Sequence, residues 1–180
     1  MRYLGFVICV VSLTFMSCKS ARSQATNEQI ETLKNLVENR NFSLEFLWAY
    51  PQATGATQQV LNSKVLQAGS SAGAINLIGN SNFLTISGDT ISSYLPYFGE
   101  RRGSVAYSGK DSAIQLEGVL ENFKVSEGKH HSYSLSFDAR SKSEHFKVVI
   151  RLYPNLKSYL TVIGDSRTSI SYSGQLIPKT

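Results

Sequence analysis

The chain has 180 residues, a formal net charge of +5, 42% hydrophobic and 11% aromatic residues, and only four prolines against nine tyrosines and nine phenylalanines. That composition belongs to a globular protein weighted towards strands, and it excludes disordered and collagen-like classes. The positive charge is scattered, with Arg101-Arg102 the only adjacent basic pair, so the stripe of cations that nucleic-acid binding requires is absent.

Residues 1–18 read MRYLGFVICVVSLTFMSC. Arg2 supplies a positive start, and Leu4 to Met16 form an apolar run that suits the hydrophobic region of a signal peptide and is short for a membrane span. Polar residues Lys19, Ser20, Arg22, Ser23 and Gln24 follow at once. The stop at Phe15-Met16-Ser17-Cys18 resembles a lipobox, in which a small residue precedes a cysteine that receives a diacylglycerol. Phe15 departs from the usual leucine. Cys9 is removed with the leader, which leaves Cys18 alone and lipid-blocked, so no disulfide forms. Acyl chains contribute about 0.8 kcal/mol of membrane affinity per buried methylene. These residues predict a signal peptide over 1–17, a lipidated tether over 18–25 and one β-rich domain over 26–180. The expected location is the cell envelope, lipid-anchored. Because no acidic cluster follows Cys18, the anchor is expected in the outer membrane facing the periplasm.

In residues 26–40, Ile30, Leu33, Leu36 and Val37 recur at helical spacing behind a cap at Thr26 or Asn27, which predicts one amphipathic helix. From residue 42 the period becomes two. Phe42, Leu44, Phe46, Trp48 and Tyr50 form one face of a strand that Pro51 ends. A weak strand near 58–66, a loop through Gly69 to Gly73 and a short run at 74–78 come next. A strand at 82–87 then turns at Gly88-Asp89 into another at 90–95.

The C-terminal half alternates most clearly. Ile114, Leu116 and Leu120 lead, followed by Tyr133, Leu135 and Phe137, then Phe146, Val148, Ile150 and Leu152. Tyr159, Thr161 and Ile163 come after, then Gly164-Asp165, and Ile170, Tyr172 and Leu176 close the chain. Strands at such spacing predict an antiparallel meander of eight or nine strands with one dry face. The expected fold is mainly β: a curved sheet, barrel-like or two-layer, with one N-terminal α-helix.

Chemistry-bearing constellations are sparse. A hairpin loop at Arg140–Ser143 would set Asp138 against His145 and His131 against Leu152, and neighbouring residues of one strand face opposite ways. His130, His131 and His145 therefore do not assemble a metal site. Glu117 and Glu121 fall on one strand face about 13 Å apart, too far for a glycosidase pair. No cofactor is implied. The most distinctive segment runs from Tyr94 to Gly103. Pro96 fixes its own φ, Gly99 and Gly103 permit turns, and Tyr94, Tyr97, Phe98, Arg101 and Arg102 supply aromatic and cationic groups. It reads either as a recognition loop with aromatic anchors or as a structural corner whose aromatics plug one end of the β structure.

Leu-Pro-Tyr-Phe-Gly (95–99), Tyr-Ser-Gly (107–109), Gly-Asp-Ser-Arg (164–167) and Ile-Ser-Tyr-Ser-Gly (170–174), after a lipoprotein leader, resemble an uncharacterised Bacteroidota lipoprotein family, domain of unknown function 4251. The resemblance implies an envelope location and an antiparallel β domain. It supplies no activity. The expectation is an envelope-tethered, non-enzymatic binding or scaffolding module, in contact with the membrane through its lipid and with an apolar ligand or an envelope protein as partner. The alternatives are a hydrolase acting on envelope glycans or lipids through the histidine region, or a purely structural lipoprotein.

Overall fold

The computed structural model describes residues 25–52, 54–55, 68–101, 113–141 and 144–178. One helix, α1 (Asn27–Asn39), precedes eleven strands: β1 (Asn41–Pro51), β2 (Ile75–Asn76), β3 (Phe83–Ser87), β4 (Thr90–Pro96), β5 (Ala113–Ile114), β6 (Glu117–Val119), β7 (Glu121–Glu127), β8 (Tyr133–Ser141), β9 (Glu144–Leu152), β10 (Lys157–Gly164) and β11 (Ile170–Pro178). The expected weak strand near 58–66, Cys18, Arg102 and Tyr107-Ser-Gly lie outside the described residues. Among those described, no helix is long and apolar enough to cross a membrane.

Helix α1 starts on a reciprocal capping box. The Thr26 hydroxyl accepts from the Gln29 backbone N–H, and the Gln29 side chain accepts from the Thr26 N–H, satisfying two donors that a helix start leaves open. Leu33 and Val37 are buried on its apolar stripe. Arg40 ends it in the left-handed region (φ 49°), and its carbonyl accepts from Gly88 N–H at the β3–β4 turn.

The strands form one antiparallel sheet in the order β5-β4-β3-β1-β11-β10-β9-β8-β7. β5 and β6 both pair with β4, and Ser93 bridges the gap between them: its N–H donates to Leu116 O and its hydroxyl accepts from Leu116 N–H. From β6 the chain crosses to the opposite edge through Leu120 alone and pairs there with β8 as β7. The sheet is thus curled far enough for one residue to span its two edges, while the hydrogen-bonded order stays open. The inward residues, from Leu33 through Phe42, Leu84, Phe137, Val148 and Leu160 to Tyr172, form one continuous core. At roughly 1.5–3 kcal/mol for each large apolar side chain, this burial is the main force holding the sheet curled.

Strand β1 departs from the expected alternation. Phe42, Leu44 and Phe46 point inward as expected, but a bulge at Leu47 turns Ala49 and Pro51 inward and leaves Tyr50 exposed and Trp48 half-buried. The cause lies on the neighbouring strand. A Cβ on Gly174 would stand 1.9 Å from Glu45 O and 2.6 Å from Phe46 Cα. Only glycine lets the two backbones approach this closely, and an extra residue resets the face. On its other side, β1 is completed by a side chain. Asn82 accepts from Phe46 N–H at 2.8 Å and donates to Phe46 O at 2.9 Å, filling the place of a strand between β3 and β2.

Two further expectations are corrected. Ser141 pairs with Glu144, so the β8–β9 hairpin is two residues tighter than Arg140–Ser143. Arg140 therefore faces His145, Lys147 faces Asp138, and Tyr133 rather than His131 faces Leu152. On β10 the buried set is Ser158, Leu160 and Val162, and Tyr159, Thr161 and Ile163 face outward.

Candidate functional site

Two places gather polar chemistry. The first is a buried junction where the end of β4, the β8–β9 hairpin and the β10–β11 connection meet. Pro96 ends β4, and Tyr97 then turns inward and is 8% exposed. Its hydroxyl lies 2.9 Å from Glu100 O, 3.0 Å from Thr168 O and 2.9 Å from Thr168 Oγ1. A Cβ on Gly99 would sit 2.3 Å from that hydroxyl, so Leu-Pro-Tyr-Phe-Gly needs its glycine for the Tyr97–Thr168 contact to form. Tyr172, inward on β11, donates to Pro96 O at 2.8 Å.

Arg167 sits beside them on the β10–β11 connection. Its Nε donates to both oxygens of Glu144 at 2.9 and 3.0 Å, and Nη2 donates to Glu144 Oε2. Both side chains are about nine-tenths buried. The guanidinium carbon lies 4.8 Å from the Tyr97 ring centre and 5.2 Å from that of Phe146, so aromatic faces replace the water this cation has lost. Nη1 is buried without a hydrogen-bond partner among the described residues. Burial works to raise the Glu144 carboxyl, but hydrogen bonds from Arg167 and Ser166 and the Arg167 charge outweigh it and hold it below the usual carboxylate range. Burial raises the Tyr97 phenol, and Arg167 and Thr168 offset only part of that rise. Burial also raises the Tyr172 phenol. With both phenols kept protonated and the acid kept ionised and paired, the junction is a locked contact between three segments.

The second place is a groove of about 750 Å³ on the outer face of β9, β10 and β11. Arg151 pairs with Tyr159 across the ladder, and Tyr153 N–H donates to Lys157 O at 3.0 Å. Residues two apart on a strand share a face. Arg151, Tyr153, Lys157 and Tyr159 therefore form a two-by-two pattern, with tyrosines on one diagonal and cations on the other. The tyrosine rings meet edge to face, centres 5.9 Å apart at 81°. The floor continues into Thr161 and Ser171, whose hydroxyls lie 3.0 Å apart. Among the described residues no carboxylate lines the groove. A smaller hollow of about 410 Å³ lies beside the exposed cross-strand pair Phe83 and Tyr94.

The expected loop residues separate. Tyr97 and Phe98 pack against the core, whereas Tyr94 is 42% exposed on β4 and Arg101 is exposed and bridges to Arg167 through the backbone. His130 and His131 stand in an exposed 3-10 turn at φ 57° and 56°, and His145 is exposed on β9. Among the described residues no three His, Cys, Asp or Glu side chains group as metal ligands. Glu117 and Glu121 fall on separate strands, divided at Leu120. Sequence reasoning missed Glu144 as the partner of Arg167, because their approach depends on the hairpin register. It missed the groove because Tyr159 read as one of a strand's core residues.

A family model described as "Domain of unknown function (DUF4251)" matches residues 24–176. The fold is similar to a crystal structure of a DUF4251 family protein from Bacteroides eggerthii, with a TM-score of 0.57, 13% identity, and coverage of 84% of this chain and 88% of that one. No curated protein matches.

Proposed function

This chain belongs to the DUF4251 family, and from that premise we propose that it is a lipid-anchored protein of the bacterial cell envelope whose β domain is a non-enzymatic binding module. The anchor reading is supported by the short apolar run and the lipobox-like Phe15-Met16-Ser17-Cys18. The outer membrane, facing the periplasm, is the proposed location.

The observation behind the binding reading is the outer-face groove. It offers aromatic rings, two cations and a hydroxyl floor to solvent, in a volume within the roughly 300–1,000 Å³ range of small-ligand sites.

Two measurements test the proposal. Replacing Cys18→Ala should abolish labelling of the chain by a radioactive fatty acid, and persistent labelling would refute the anchor. Native and denaturing mass spectra of the detergent-extracted lipoprotein should differ by a stoichiometric mass lost on denaturation. Identical spectra would count against a tightly held ligand and shift weight to a structural role.

A further inference from the structure

We propose that the groove across β9–β11 docks an acidic polysaccharide, a polymer of uronic-acid type. This rests on the binding-module reading and adds the ligand class to it. The argument begins with charge. Neither Arg151 nor Lys157 makes an ion pair among the described residues. The outward acid in the same cross-strand row as Lys157 is Glu45, and the outward Gln175 of β11 stands between the two. The two cations therefore face solvent with no acid among the described residues that line their groove, which is complementary to an anion.

The spacing narrows the anion. Diagonal neighbours on an antiparallel pair lie about 7–8 Å apart, so the two charges suit separate acid groups along one chain. The Arg151 fork matches a planar carboxylate with two parallel hydrogen bonds. Lys157 supplies a point charge beside it.

The remaining lining excludes other polyanions. Two cations are too few for the phosphate-by-phosphate neutralisation of a nucleic acid. A face that binds an anionic membrane gathers a cluster of about four to eight lysines and arginines, and the described lining of the groove carries two. Instead, Tyr153 and Tyr159 present ring faces and edges, and Asn155, Thr161 and Ser171 present hydrogen-bonding groups. A sugar ring has an apolar C–H face and a rim of hydroxyls, so it needs both kinds of surface at once. Tyr159 is 48% exposed, enough for a ring to pack on it. Trp48 and Tyr50 extend the same outer face beyond β11, through their register with Ser173 and Ser171, which gives a long chain further contact.

The test uses the full-length lipoprotein in neutral detergent micelles, with polygalacturonate as the probe and fully methyl-esterified polygalacturonate as its uncharged counterpart. Calorimetry should show salt-sensitive binding of the acid form and none of the ester. Binding should fall at least about tenfold in Arg151→Gln/Lys157→Gln, where two charge-assisted contacts are lost, and also in Tyr159→Ala. Arg151 and Lys157 are exposed, so the thermal midpoint of that double variant should not move, and Tyr159→Ala, which also loses its ring contact with Tyr153, should stay folded with a midpoint lowered by only about 1–6 °C. Lys124→Gln/Lys129→Gln removes equal charge from exposed sites elsewhere and should bind normally. The inference is overturned by no binding of polygalacturonate, by equal binding of the ester, or by equal loss in the two charge variants. It is also overturned if phosphatidylglycerol vesicles, rather than the polysaccharide, are bound through Arg151 and Lys157. If it fails while the native mass spectrum still shows a bound ligand, only the ligand class falls and the binding-module reading stands.

Discussion

Replacing Arg167→Met tests the buried junction at its most sensitive atom group. Methionine keeps an apolar stem against Tyr97 and Phe146 but removes every donor that Arg167 directs at Glu144. The carboxylate then loses both Nε bonds and the Nη2 bond, at a site where its own side chain is about one-tenth exposed. Breaking a buried ion pair from one side costs about 3–5 kcal/mol, because the remaining charge is stranded. The Ser166 hydrogen bonds to Glu144 persist and place the expected cost near the lower end, about 3 kcal/mol. For a domain of this size that lowers the thermal midpoint by roughly 6–12 °C. Urea unfolding followed by the fluorescence of Trp48, the only tryptophan, measures it directly. Adding Glu144→Gln should restore most of the loss, since a neutral amide tolerates burial without a cation. The two changes should therefore couple by about 2 kcal/mol in a double-mutant cycle. The acid is held below its unfolded range, near 4.3, so its contribution is present above that pH and is lost as pH falls through the folded value. The advantage of the native chain over Glu144→Gln should accordingly shrink below about pH 4. A cost under about 1 kcal/mol with no coupling, as for an exposed pair, would refute this account of the junction.

Gly174→Ala should destabilise the domain by at least about 3 kcal/mol, beyond ordinary overpacking, because the clash is with the backbone of Glu45 and Phe46, which no side-chain rotation relieves. Calorimetric melting measures the loss, and a midpoint within 2–3 °C of native would contradict the close approach. Asn82→Ala leaves the buried Phe46 N–H and C=O without partners and should cost about 2–3 kcal/mol. Amide exchange should accelerate first at Phe46. Thr26→Ala removes the capping box at an exposed helix start and should cost about 1 kcal/mol, seen as faster exchange in the first turn of α1 while the sheet amides are unchanged.

What was legible in the sequence was local. The capping box at Thr26, the spacing of Leu33 and Val37, the Gly88-Asp89 turn and the alternation of Phe146 to Leu152 each encode an element through residues a few positions apart, and the structure forms all four. What was not legible depends on residues far apart. The inward run of β1 breaks at Leu47 because of Gly174, more than a hundred positions away, and nothing near Leu47 announces it. The register of β8 and β9 lies two residues from the one the alternation suggests, since apolar alternation is unchanged by a shift of two and cannot distinguish the registers.

The same limit explains the two sites. Leu-Pro-Tyr-Phe-Gly and Gly-Asp-Ser-Arg stand out separately in the sequence, but only the curled sheet brings Tyr97 to Thr168 and Arg167 to Glu144. Their distinctiveness is accounted for by that contact: an inward tyrosine, a glycine that clears its hydroxyl and an arginine that is almost wholly buried. The outer groove arises in the opposite way. Arg151, Tyr153, Lys157 and Tyr159 look unremarkable one at a time, and Tyr159 and Ile163 mimic a buried face at period two. β10 is apolar on both sides, so periodicity cannot choose its inward face. The choice falls to Leu160 and Val162, which meet Ile150 and Val148 in the core. Tyr159 is turned to solvent as a consequence, and the cations opposite and beside it convert that exposed ring into a charged aromatic corner.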